Sequence, residues 1–171
     1  MSKIFLSIFI SLNIFTIQQP KDTVLEFYDW YINKGGQNIL NIIYVEKENG
    51  MTGLNLIEIE NELTKSGFFT QELITTYIAS FANCNEKLTH LKYSDYLKIE
   101  DIFDLEELAC GVQYPYWIGD SMEDPKVFKA EKMVKLDSTT EHVTIFFPDA
   151  LLRLNVELKY QNKKWLINSI K

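Results

Sequence analysis

The sequence predicts an α+β domain in which helices come first and an antiparallel meander follows, with one face of the sheet covered by those helices. Three observations carry this reading. Val24, Phe27, Tyr28 and Tyr31 recur at helical spacing early in the chain. Leu73, Ile74, Tyr77, Ile78 and Phe81 repeat three and four residues apart in the middle. Near the end the period becomes two: Leu152, Leu154, Val156, Leu158 and Tyr160 alternate with Arg153, Asn155, Glu157 and Lys159. At 171 residues the chain suits one domain. A domain of that size buries roughly 70% of its unfolded surface and needs no metal to fold.

The elements follow in order. Residues 1–19 carry one lysine, an apolar run from Ile4 to Ile17 and a polar exit at Gln18-Gln19. A run of about 14 residues falls short of the ~20 that cross a bilayer, and its flanks suit a secretory signal peptide. The expectation is therefore an exported protein, periplasmic or extracellular, with residues 20–171 as its single domain and no transmembrane segment in the mature chain. The segment "KDTVLEFYDWYINKGG" predicts a helix that opens on a Thr23/Glu26 capping box and stops at Gly35-Gly36. Residues 39–55, with Asn49-Gly50 as a turn signal, read either as a short hairpin or as an irregular excursion. Leu56 to Leu88 reads as two helices separated by a corner at Ser66-Gly67, with Thr70 as the N-cap of the second. Residues 89–125 lack long periodicity and form a long connection, the kind that is usually functional or lid-like. After it come an alternating strand through Val143, Ile145 and Phe147, the strand from Leu152, a turn at Gln161-Asn162-Lys163 and a closing strand from Trp165 to Ile170.

Charge limits the partners. A net charge of -7 repels phosphate backbones, so nucleic acid is not an expected partner. The two cysteines, Cys84 and Cys110, match no zinc spacing. In an exporting context they are a disulfide candidate whose closure of a loop of about 26 residues would contribute roughly 3.5 kcal/mol. Two buried free thiols are the alternative.

The stretch "YPYWIGDSMEDP" concentrates Tyr114, Tyr116 and Trp117 beside Asp120, Glu123 and Asp124. Aromatic rings flanked by acids suit a binding rim, so Tyr114, Tyr116, Trp117, Asp120 and Trp30 are the candidate binding residues. The competing reading folds the rings inward as a plug in the open end of the sheet. Asp120 is the weak catalytic candidate, since a general base needs a carboxyl moved toward neutrality by an apolar mouth. The three acids lack the glycine-interrupted calcium pattern. The histidines, His90 and His142, have no partners at ligand spacing, so no metal and no cofactor is expected. Nucleophile-elbow, phosphate-loop and dinucleotide motifs are missing.

The stretches "TVLEFYDWYI", "ELTKSGFFTQELI", "YPYWIGDSMEDP" and "LKYQNKKWLINSI" together resemble a family of exported bacterial proteins catalogued as a domain of unknown function, within the cystatin-like fold of the nuclear transport factor 2-like superfamily. The resemblance covers about residues 22–171. It implies a curved sheet wrapped around a long helix, with a cone-shaped hollow at one end, and it implies no activity. The family's loop carries an Asp-Pro-aromatic stretch ending in Gln-Asp. Tyr114-Pro115-Tyr116 and Gly119-Asp120 stand in its place here, so that loop's chemistry does not carry over. Three expectations follow for function: a non-enzymatic binding domain that engages a protein, peptide or cell-wall partner through its loop end; an isomerase- or hydratase-like site, or small-molecule site, built on a carboxylate in the hollow; or a structural accessory module.

Overall fold

A computed structural model describes residues 18–99, 116–118 and 125–171. The predicted signal peptide falls almost wholly outside them.

The first helix, α1 (Pro20–Tyr28), continues into a π-helical turn over Asp29–Asn33. It starts earlier than the Thr23/Glu26 capping box predicts. Pro20 occupies its first turn, where the missing N–H costs nothing, and the Asp22 carboxylate accepts the Gln19 N–H at 3.2 Å. Thr23 therefore lies inside the helix, buried, and its hydroxyl finds no hydrogen-bond partner among the described residues. Gly35 stops the helix with φ +86°. Gly36, which opens the short α2 (Gly36–Ile39), is required for packing: a Cβ there would sit 2.7 Å from the Trp30 ring.

The stretch from 39 to 55 contains the hairpin, β1 (Tyr44–Glu46) paired antiparallel with β2 (Thr52–Leu54). Gly50 turns it at φ +73°, and the Asn49 side chain accepts the Met51 N–H. Then come α3 (Leu56–Ser66), α4 (Gln71–Ala79) and α5 (Ala82–Leu88), three helices where periodicity predicts two. The buried positions Leu73, Ile74, Tyr77, Phe81, Cys84 and Leu88 keep one helical rhythm across the break, which hides it in the sequence. In the structure the Ser80 hydroxyl donates to the Tyr77 carbonyl where α4 ends. Gly67 ends α3 at φ +71°, and Thr70 caps α4 as expected, its hydroxyl accepting the Leu73 N–H at 3.1 Å. A short α6 (Tyr93–Tyr96) follows.

The last third is the expected antiparallel meander: β3 (Lys129–Lys135), β4 (Thr140–Phe147), β5 (Leu152–Gln161) and β6 (Lys164–Ile170), adjacent in that order. Asn162 and Lys163 both take positive φ in the β5–β6 turn, which matches the right-handed twist of the strands it joins. In β6 the inward residues are Trp165, Ile167 and Ile170, spaced by two and then three. The register against β5 shifts at that point, with Leu158 opposite Ile167 and Glu157 opposite Ser169, so Asn168 is a bulge that keeps Ile170 pointing inward. Leu154, Val156 and Leu158 lie in the same buried core as Phe27 and Tyr31, and α1 packs against β3, β4 and β6. The molecule is thus α+β, with its helical layer on one face of the sheet.

Before α4 the chain also joins the sheet. The Ile167 N–H donates to the Phe68 carbonyl (2.8 Å), and the Thr70 N–H donates to the Ile167 carbonyl (2.9 Å). Residues 68–70 thereby lie along the outer side of β6.

Candidate functional site

Tyr116–Ile118 forms a single 3-10 turn at the helical side of the sheet. The Tyr28 hydroxyl donates to the Trp117 carbonyl at 2.9 Å and ties this turn to α1. Trp117 is only 2% exposed. Its ring centroid lies 4.9 Å from Phe69, 4.9 Å from Tyr77 and 5.9 Å from Phe27. It turns inward, filling the space between α1, α4 and the 68–70 segment along β6. The indole N–H approaches the Tyr77 hydroxyl but makes no hydrogen bond of acceptable geometry.

Tyr116 behaves differently. It remains 36% exposed, with its ring 5.4 Å from Tyr77 and 5.0 Å from Trp117. Partial burial raises its hydroxyl, opposed by a hydrogen bond with the Ile170 backbone. Tyr77 is pushed up to about 12 and Tyr28 is raised further, in both cases chiefly by burial. These phenols stay protonated at neutral pH, and Tyr28 acts as a hydrogen-bond donor.

Trp30 is half-buried. Its ring packs on Phe68 (5.7 Å) and Phe27 (6.2 Å), so it connects to Trp117 through Phe27 and through Phe68 and Phe69. Neighbouring Asp29 faces water, and its carboxyl is held below the usual range by hydrogen bonds from Lys34 (2.6 Å) and Asn33. Of the predicted binding residues the structure brings Tyr116 and Trp117 together and sets Trp30 at the far side of the same aromatic cluster. Tyr114, Asp120, Glu123, Asp124 and Cys110 lie outside the described residues. Cys84 is buried and disulfide-bonded, and the only other cysteine in the sequence is Cys110.

A second constellation, on the solvent side of the sheet, escaped the sequence reading. His142 Nε2 lies 3.2 Å from Glu157 Oε2, and Asn168 Nδ2 donates to Glu157 Oε1 at 2.7 Å. The Thr70 hydroxyl donates to Asn168 Oδ1 at 2.9 Å while accepting the Leu73 N–H. This chain ties β4, β5, β6 and the start of α4 together. Glu157 is held below its usual range, mainly by the Asn168 amide and then by His142. The alternation of His142 and Glu157 with apolar neighbours marks them as outward-facing, but their pairing depends on strand register, which no local pattern reveals.

Among the described residues no group of three His, Cys, Asp or Glu side chains converges to hold a metal ion, and no helix is long and apolar enough to cross a membrane. An open groove of about 280 Å³ lies on the hairpin and the first turn of α3, lined by Val45, Glu46, Lys47, Asn55, Ile57 and Glu58. None of the predicted site residues lines it. No family model, curated protein or solved structure matches this chain.

Proposed function

We propose that this chain is an exported, non-enzymatic binding domain that engages a protein, peptide or cell-wall partner at its loop end, with Tyr116 as an exposed aromatic anchor. The observation that carries the reading is the split between two consecutive residues. Trp117 occupies the interior where a ligand of the sheet–helix hollow would sit, and Tyr116 beside it stays at the surface. A hollow filled by an indole favours recognition outside the core over chemistry within it. Tyrosine on a rigid support is well suited to that, since it brings contact area and a hydrogen-bond donor at small entropic cost. The cone of the nuclear transport factor 2-like superfamily is the finer fold reading we attach to this architecture. It is supported by α1 lying against a meander whose inward residues are Val143, Ile145, Val156 and Leu158.

The test is affinity capture from a native cell-envelope extract with the mature protein and with Tyr116→Ala. A partner retained by the first and lost by the second supports the proposal. Capture of nothing specific, or of the same partner by both, counts against it. Trp117→Ala is unsuited to this test because it removes core. N-terminal sequencing of the secreted product tests the signal peptide, and an intact Met1 there would refute its removal.

A further inference from the structure

A different surface, the β3 edge of the sheet, has the features of a docking strand. β3 is the first strand of the meander and lies at its edge, and among the described residues no strand pairs along its outer side. The direction of its free backbone groups follows from the register. The Leu136 N–H donates to the Thr140 carbonyl at 3.0 Å, so that pair is bonded across to β4. The Tyr160 N–H donates to the Thr139 carbonyl at 2.7 Å, which assigns the alternate β4 positions to β5. Antiparallel ladders alternate bonded and non-bonded pairs. The pairs Val134–His142 and Lys132–Thr144 are therefore bonded to β4, and Met133 and Lys135 present their N–H and C=O groups to the open side.

The side chains along this edge are of two kinds. Val127, Met133 and Leu136 are 57%, 51% and 53% exposed, although apolar. Lys126, Lys129, Lys132 and Lys135 recur every third residue between them. The only acid from 126 to 136 is Glu131, already engaged by the Arg153 guanidinium at 2.9 Å. The wider charge distribution points the same way. Residues 125–171 hold nine basic against five acidic side chains, while residues 1–124 hold eight basic against nineteen acidic. The sheet is the basic part of an acidic protein. Lysines alone would be accounted for by the need to keep a free edge from aggregating. The apolar side chains left exposed between them are not.

We propose that the β3 edge accepts an extended segment of a partner protein as an added strand, and that this segment alternates acidic with apolar side chains. Backbone pairing at Met133 and Lys135 provides the attachment, as in strand addition generally. Met133, which shares its sheet face with Val143, meets the apolar positions, and Lys132, on the opposite face with Thr144, meets the acids and speeds the encounter.

The test uses a fluorescein-labelled peptide of alternating glutamate and valine, followed by anisotropy, with an alternating lysine–valine peptide of the same length as control. Binding of the first and not the second is expected. Met133→Pro removes an outward N–H and leaves the β4 ladder bonds in place, so it is expected to weaken binding at least about tenfold, a loss of about 1.4 kcal/mol. Should Met133→Pro disturb the fold, Lys132→Glu with Lys135→Glu, which alters only exposed side chains, is expected to produce a loss of similar size with unchanged thermal stability. The proposal fails if the two peptides bind alike, if neither binds, or if the double lysine variant binds as wild type. It fails too if single-stranded DNA of equal charge displaces the peptide, which would mean a plain polyanion patch, or if sedimentation shows two copies of the chain joined through β3.

Discussion

The two edges of the sheet are finished in opposite ways. Along β6 the chain covers its own work: residues 68–70 hydrogen-bond to Ile167, and Phe69 and Trp117 pack their rings beside them. Along β3 nothing among the described residues pairs outward, and Met133 and Leu136 face water. The difference teaches where stability resides in this molecule. The β6 side is an interior, in which each ring has several partners and a lost atom leaves a cavity. The β3 side is a surface whose side chains have little native packing to lose and whose backbone groups are ready to pair.

The contrast breaks most visibly at Trp117. Trp117→Ala is expected to lower unfolding free energy by about 3–5 kcal/mol, the range for large core aromatics, while Met133→Ala at the open edge changes it by less than about 0.5 kcal/mol. Urea denaturation of both variants measures the pair, and equal losses would show that the two edges do not differ as described. Next in size is Gly36→Ala. Its added methyl meets the Trp30 ring at 2.7 Å, and Trp30 supports Phe68 at the covered edge. A loss of about 1–3 kcal/mol is expected from overpacking. If thermal denaturation shows no change, the Trp30 contact is not tight.

Thr70→Ala removes the cap of α4 and the donor to Asn168, and is expected to cost about 1–2 kcal/mol. Thr70→Ser, which keeps the hydroxyl, should recover most of it, and failure to recover would assign the loss to the methyl group instead. The smallest effect is a pH dependence at Glu157. Its carboxyl titrates lower in the folded chain than in the unfolded one, so the folded state gains stability above the unfolded value of about 4.3 and loses it as the pH falls through the lower, folded value. Glu157→Gln should therefore be less stable than wild type at neutral pH, by under about 1 kcal/mol for so accessible a group. The gap should close as the pH drops below 4.3. A gap that stays constant with pH would exclude the carboxylate as its source.

Much of this fold was legible because its signals are local. The inward row Leu154, Val156, Leu158 was written as alternation, Thr70 as a cap followed by a helical run, and Gly67 as a corner. Other elements competed with equally local signals and misled. Thr23 and Glu26 have capping-box spacing, yet Pro20 starts the helix first. The rhythm through Tyr77, Phe81 and Cys84 runs on across the break between α4 and α5. At the candidate site, sequence composition marked Tyr116 and Trp117 as a pair but held both orientations open. The pairing of His142, Glu157, Asn168 and Thr70 had no sequence signal, since its members come from four separate elements.

By itself the sequence determined the order of helices and strands and which side chain of each is apolar. These properties depend on neighbours within a turn or a strand and on the turn residues between them. Only the tertiary structure decided that Trp117 turns inward while Tyr116 stays out, and that β6 is covered while β3, among the described residues, is not. Those outcomes rest on partners far apart in the chain, such as Tyr28 with Trp117, 89 residues on, and Thr70 with Asn168, 98 residues on. Such pairings are chosen by the packing of the whole core, where the driving force follows the total apolar area removed from water.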